Sequence, residues 1–325
     1  MVSVRGCMSD QNGIVRGVPQ GSILGPLLFI LFVNDLHLHL LNSRTCLYAD
    51  DTNIYTSGKS IGEINTSLSK DMKHLGDWCD ENDLCINVDK TKCMLVSTSQ
   101  KHSHNADTNL VVNVNSAQIP VCASHKLLGV YVSNVLDWEE QIKFVCRQVN
   151  HSLSVLKRIK SFLPESARIL YCNSCVLSHM DYCSTIWGNT TESELAKLHR
   201  LQKRAARMIF DDYTSPSVVL FKKLHWLPLK KRIEHNKAVL MYKCLNYHLP
   251  AFMSDLFTYR ANSSYLLRSE EQNLLIVPRP RLEIFRHSFM YSGAKLWNSL
   301  PVSLRQSKSV RSFKKKSVEY FATVM

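Results

Sequence analysis

Residues 45–55, Thr-Cys-Leu-Tyr-Ala-Asp-Asp-Thr-Asn-Ile-Tyr, set two adjacent carboxylates, Asp50 and Asp51, between two β-prone runs. On a regular strand neighbouring side chains point to opposite faces, so both acids can serve one site only where the chain turns between them. The pattern predicts strand, tight turn, strand, with the acidic pair at a hairpin tip. Directly after it, Ile64, Leu68, Met72, Leu75 and Trp78 recur at helical spacing within 61–84, which predicts an amphipathic helix packed on a sheet.

The remainder of the chain extends this α+β reading. Residues 2–17 read as a hairpin around the Asn12-Gly13 turn signal. A second turn follows at Gly17-Val18-Pro19-Gln20-Gly21, with Ser22 placed to cap a helix over Ile23–Leu41 and Pro26 in its first turn. Residues 85–98 and 109–133 return to short β segments, separated by a polar loop whose His102 and His104 read as plain surface. From Trp138 the spacing is helical, over 138–162, 165–186, 192–210 and 229–247, with breaks at Leu163-Pro164, Gly188-Asn189 and Leu249-Pro250. The tail from Tyr259 is the least regular part, and it carries Arg311, Lys314, Lys315 and Lys316 near its end. There is no internal repeat. A length of 325 residues suits about two domains.

Composition excludes several classes. With 45% hydrophobic and 21% charged residues the chain is neither disordered nor collagen-like. Its net charge of +13 is unevenly placed: residues 1–150 hold 12 basic and 15 acidic side chains, net −3, and residues 151–325 hold 28 and 12, net +16. Such asymmetry suggests a half that binds polyanions. Within it, Lys197, Arg200, Lys203, Arg204 and Arg207 fall in one arc of about 120° on a helix, opposite Leu195, Leu198, Leu201, Ala205, Met208 and Ile209. That stripe suits contact with a nucleic-acid backbone, the alternative being an ordinary solvated face. The 11 cysteines and the absence of an apolar leader suggest reduced thiols and an intracellular place, cytoplasm or nucleus. The longest apolar stretch, Ile23–Val33, contains Gly25 and Pro26 and is too short to cross a membrane, so no membrane partner is expected. Cys172, Cys175, His179 and Cys183 approach a zinc-knuckle spacing, but on a continuous helix they form one stripe, which cannot wrap a tetrahedral ion. They read as core.

Two carboxylates at one hairpin tip repel unless cations neutralise them, and hard divalent ions are the natural choice. Two Mg²⁺ ions about 4 Å apart can activate an attacking hydroxyl and stabilise a pyrophosphate leaving group, so nucleotidyl transfer is the chemistry such a pair suggests. Asp-Asp-Thr-Asn as a simple turn is the alternative. The stretch Arg16-Gly17-Val18-Pro19-Gln20-Gly21-Ser22-Ile23-Leu24-Gly25-Pro26-Leu27-Leu28-Phe29, ending in Asn34-Asp35-Leu36, lies upstream of Leu47-Tyr48-Ala49-Asp50-Asp51-Thr52. Together they resemble the reverse transcriptase domain of non-LTR retrotransposons of the Jockey-like and CR1-like kind. Leu84–Cys93 is similar to that family's motif D, Lys126–Tyr131 with Leu136-Asp137-Trp138 to the strand pair entering its thumb, and Gly293–Pro301 to segments beyond the thumb.

The resemblance implies an RNA-directed DNA polymerase: a partial palm over 1–137, a helical thumb-like region over 138–210, and a basic, mostly helical region over 211–325. It implies that Asp50 and Asp51 bind Mg²⁺, with Mn²⁺ an alternative, and that Gly17, Pro19, Gln20, Gly21, Ser22 and Tyr48 shape the pocket for nucleotide and template. It assigns protonation of pyrophosphate to Lys90, with Lys92 as alternative, although both also read as solvated strand-end lysines. The implied partners are an RNA template, an RNA/DNA duplex and a dNTP. The family also uses a third carboxylate on a strand well upstream of the glycine-rich segment, preceded by the fingers. Only 16 residues precede Gly17, and Asp10, their sole acid, falls in the hairpin region; Asp35 reads as a helix-end residue. The expectation is therefore an N-terminally truncated polymerase, inactive by itself. The alternative is a non-catalytic nucleic-acid-binding protein derived from the element.

Overall fold

The computed structural model describes residues 3–10, 17–19, 21–100, 110–114, 117–260 and 273–323. It mixes helices with small antiparallel ladders and divides into two compact units, Met1–Ala123 and Ser124–Met325.

In the first unit, β1 (Ser3–Val4) and β2 (Cys7–Met8) pair antiparallel around Arg5-Gly6. The first hairpin thus turns earlier than expected, and Asn12 and Gly13 lie outside the described residues, as do His102 and His104. The single helix expected over 23–41 is two: α1 (Gly25–Phe32) and α2 (Leu36–His39). Ser22 does act as a cap, its Oγ accepting the Gly25 N–H at 3.0 Å. The break follows from Asn34-Asp35, whose short polar side chains compete with helical bonding, and from the His37 ring, which bonds the Asn34 carbonyl at 2.7 Å.

Next come β3 (Arg44–Tyr48), β4 (Asp51–Tyr55) and α3 (Ile61–Glu81). Ser60 caps α3 through the Glu63 N–H, and the Glu63 carboxylate accepts the Lys59 N–H. Met72, Leu75, Trp78 and Cys79 of α3 are buried with Leu36 and Leu40 of α2 and with Leu110, Val112, Val114 and Ile119. Two short strands, β5 (Asn113–Val114) and β6 (Ala117–Gln118), close this core. The strands expected over 85–98 are not formed; one bridge joins Cys93 to Val121. The reason is local: Asn87 receives the N–H groups of Lys90 and Thr91, bending the chain into a turn.

The second unit opens with the hairpin β7 (Ser124–Leu127) and β8 (Val130–Ser133). Its two turn residues, Leu128 and Gly129, both take positive φ (45° and 85°). This is the geometry that matches strand twist and favours glycine. Helices follow: α4 (Glu139–Ile159) with a 3-10 turn at Lys160–Phe162, α5 (Glu165–Cys172), α6 (Ser178–Asp181), α7 (Ser184–Trp187), α8 (Glu192–Phe210), α9 (Ser217–Leu224) and α10 (Leu229–Leu245). One core, including Val149, Leu153, Cys172, Trp187, Leu198 and Phe221, runs through α4 to α10.

The helix expected over 165–186 is interrupted twice. A π turn spans Asn173–Leu177, and Cys183 takes a left-handed φ of 51°. Tertiary bonds explain the second break: the Tyr182 carbonyl accepts the Trp187 indole N–H at 2.8 Å, and the Tyr182 hydroxyl donates to the Leu128 carbonyl at 2.7 Å.

The tail is more ordered than its sequence suggests. It contains α11 (Ala251–Ser254), α12 (Glu283–Arg286), α13 (Phe289–Ser299), α14 (Val302–Arg305) and α15 (Val310–Thr323). A second core forms where Trp297, Phe313 and Phe321 pack with Met241 and Tyr242 of α10.

Candidate active site and nucleic-acid surface

The acidic pair lies at the tip of the β3–β4 hairpin. Strands β3 and β4 pair in the register Tyr48↔Asp51, Leu47↔Thr52, Cys46↔Asn53, Thr45↔Ile54 and Arg44↔Tyr55. Directly opposed residues share a face, so Leu47 and Ile54 turn to the core and Tyr48 and Asp51 stand together on the outer face. Ala49 and Asp50 form the two-residue turn, with Ala49 at a φ of 51°. Asp50 and Asp51 are both exposed at this tip, and neither carboxylate makes an ion pair or hydrogen bond with another described residue.

The open end of the hairpin is anchored by a residue that the sequence reading did not single out. Asp71 of α3 is fully buried, and its carboxylate accepts the Asn42 backbone N–H at 3.0 Å and the Asn42 side-chain amide at 2.8 Å. The Asn42 carbonyl in turn accepts the Thr56 hydroxyl at 3.1 Å. Residues just outside both strands are thereby tied to α3. The available signal was an acid on an apolar seam, three residues after Leu68 and four before Leu75.

In the glycine-rich segment the Ser22 N–H bonds the Pro19 carbonyl at 3.1 Å, closing a turn. Gly21 takes a φ of 85° there, a conformation costly for other residues. Gly17, Pro19 and Gly21 are exposed and Ser22 half-buried; Gln20 lies outside the described residues. No hydrogen bond among the described residues joins this segment to Asp50 or Asp51. Lys90 is exposed on the Asn87 turn, and Lys92 donates to the Asp89 carbonyl at 2.9 Å.

Two carboxylates supply hard oxygen donors of the kind Mg²⁺ takes when it keeps several waters and binds through one or two acids. Among the described residues no third His, Cys, Asp or Glu completes a metal-holding group there or elsewhere. Cys172 lies in the helical core, and burial pushes its thiol up to about 12. Because the helix is interrupted, Cys172, Cys175, His179 and Cys183 do not form the straight stripe that the sequence suggested.

On α8, Thr191 caps the start and Leu195, Leu198, Ala205, Met208 and Ile209 are buried, as the spacing requires. Two of the basic residues are already engaged. Lys197 pairs with Glu194, and Arg204 donates to the Asn150 side chain at 3.3 Å. Arg207 is half-buried, while Arg200 is exposed and Lys203 half-buried.

Residues 3–149, which include the acidic hairpin and the glycine-rich turn, match the family Reverse transcriptase (RNA-dependent DNA polymerase). This part of the chain is similar to the reverse transcriptases of non-LTR retrotransposons. The chain is 29% identical over 224 residues to the probable RNA-directed DNA polymerase from transposon BS of Drosophila melanogaster, covering 65% of this chain and 24% of that protein. It is 26% identical over 187 residues to a Retrovirus-related Pol polyprotein from type-1 retrotransposable element R1 2 of Nasonia vitripennis, covering 56% and 45%. It is 25% identical over 218 residues to the RNA-directed DNA polymerase from mobile element jockey of Drosophila melanogaster, covering 64% and 23%. The chain thus spans less than half the length of each of these relatives. No solved structure matches it. The reverse transcriptase match ends within α4, so the basic helices α8 and α15 lie beyond it.

Proposed function

We propose that the chain is a piece of an RNA-directed DNA polymerase in which Asp50 and Asp51 hold a divalent ion, Mg²⁺ or Mn²⁺. The observation that carries this reading is the exposed, unpaired acidic pair at the tip of β3–β4, within the residues that match the family. When bound there, the ion would activate the primer hydroxyl and stabilise charge on the pyrophosphate. Asp50 and Asp51 contribute hard donors, and Tyr48 forms the wall beside Asp51. Gly17, Pro19, Gln20, Gly21 and Ser22 shape the side facing the dNTP and the RNA template. Lys90 is placed on an exposed turn from which an ammonium can donate a proton to a leaving phosphate. In this reading residues 1–137 are a partial palm and 138–210 a thumb-like region; 211–325, with the α8 stripe, flank the RNA/DNA duplex. The protein acts inside the cell, in cytoplasm or nucleus.

Two carboxylates without a third give a metal site of low affinity, so the 325-residue chain assayed by itself is proposed to be inactive. Mn²⁺ titration followed by electron paramagnetic resonance tests the site. Weak binding that disappears in the Asp50→Asn, Asp51→Asn double variant is expected, and equal binding by the variant refutes the assignment. RNA-templated primer extension with Mg²⁺ tests the inactivity: no product is expected, and robust synthesis abolished by Asp50→Ala would overturn it. A second reading, nucleic-acid binding without synthesis, is favoured by the net +16 charge of residues 151–325.

A further inference from the structure

We propose that the outer face of α15, with Lys308 just before it, is a binding surface for a nucleic-acid phosphate backbone, formed by Lys308, Arg311, Lys314 and Lys315. The proposal rests on the nucleic-acid reading above but not on the metal site.

The face is fixed from behind. Phe313 stacks on Tyr242 with ring centroids 4.5 Å apart and lies against Trp297 at 6.2 Å. The Tyr242 hydroxyl donates to the Ser307 carbonyl at 2.6 Å, which anchors the entry to the helix. Ser317, fully buried, meets His235 of α10 at 2.9 Å, and Phe321 is buried one turn further on. With that side packed, Arg311, Lys314 and Lys315 project within an outward arc of about 100°, and all three are exposed, as is Lys308. Arg305 does not join them, because its guanidinium is buried and donates to the Leu300 carbonyl.

The patch also lacks a counter-charge. Some cations elsewhere in the second unit are neutralised, among them Lys143 by Glu139, Lys160 by Asp211, Lys197 by Glu194, Lys230 by Glu192, Lys231 by Glu234 and Arg232 by Asp181, whereas these four, gathered on one fixed face, are not. The one acid of α15, Glu319, forms no ion pair with Lys308, Arg311, Lys314 or Lys315. Like charges three and four residues apart repel along a helix, and a polyanion relieves that repulsion while releasing its counterions. A membrane fits less well, since the large apolar side chains Phe313 and Phe321 are buried in the second core and unavailable for insertion. The α8 stripe, by contrast, has Lys197 and Arg204 engaged within the fold.

The test measures binding of the full chain to a labelled RNA/DNA duplex between about 50 and 200 mM salt. Replacing Lys308, Arg311, Lys314 and Lys315 together by Gln is expected to lower the slope of log affinity against log salt by about three to four, at roughly 0.9 per lost phosphate contact. A variant that keeps the charge, with Lys308, Lys314 and Lys315 changed to Arg, retains the slope, which excludes a folding defect. An unchanged slope in the Gln variant overturns the proposal. So does loss of binding to phosphatidylserine vesicles with duplex binding intact, which would identify a membrane surface. The duplex slope is measured without divalent ion and the Mn²⁺ titration without duplex, so failure of the metal site and failure of this surface are read separately.

Discussion

Truncating Asp71 should loosen the acidic hairpin without touching it. The carboxylate is fully buried and receives two donors from Asn42, the backbone N–H and the side-chain amide. A hydrogen bond to a charged group contributes about 1.5 to 3 kcal/mol. Asn42 itself is exposed, and water can replace part of what its donors lose. The low end for each donor therefore applies, and Asp71→Ala costs about 3 kcal/mol at the base of β3–β4. If opening there is local, amides of 44–55 exchange about a hundredfold faster, since about 1.4 kcal/mol is tenfold in an equilibrium constant. Asp71→Asn keeps one acceptor and should lose about half as much. Hydrogen exchange read by mass spectrometry on the intact chain resolves this, with peptides from 139–245 as the internal reference. Unchanged exchange over 44–55 would refute the anchor, and equal acceleration over 139–245 would show a global effect instead. Weakened Mn²⁺ binding in Asp71→Ala would tie the anchor to the placement of Asp50 and Asp51.

Two further outcomes follow from buried groups in the second unit. Burial, then Arg232, hold the His235 imidazole down to about 4 against an ordinary 6.5; Asp181 opposes the shift and Lys314 adds a smaller push downward. Between pH 6.5 and 4 the unfolded chain binds a proton that the folded chain refuses, so stability is complete above about 6.5 and falls by about 3 kcal/mol as pH drops to 4. Urea melts at pH 7 and 4.5 should show that loss and its disappearance in His235→Gln; the same loss in the variant would assign it elsewhere. Exposed Cys7, Cys46 and Cys85 should alkylate with iodoacetamide at pH 8 well before Cys172, whose thiol is buried and raised to about 12. Labelling of Cys172 at the rate of Cys46, mapped by peptide mass, would contradict its burial.

The parts of the fold legible in the sequence are those whose signals are local. The β-prone runs around Asp50-Asp51 place the turn because alternation and turn chemistry act within a few residues. Leu195, Leu198 and Ile209 mark the buried face of α8 because helical geometry repeats every 3.6 residues. The misread parts depend on distant contacts or on capping competition. Asn34 and Asp35 split a helix that hydropathy would continue. Asn87 turns a run that β propensity would extend, and the Tyr182 bonds to Leu128 and Trp187 end a helix from opposite sides. For the candidate site, the sequence names the two acids and the glycine-rich turn, but only folding reveals Asp71 as the anchor of the hairpin that carries the acids.

By itself, then, the sequence determined the chemistry available: an acidic hairpin, glycines free to take left-handed backbone, and a basic second half. Side-chain type and short-range periodicity are enough for that. Only the tertiary structure decided which of those groups are free to act. Residues far apart in the chain must meet before a cation is neutralised or left bare, as Lys160 is by Asp211 and Arg204 is engaged by Asn150, while Arg311, Lys314 and Lys315 stay open on α15.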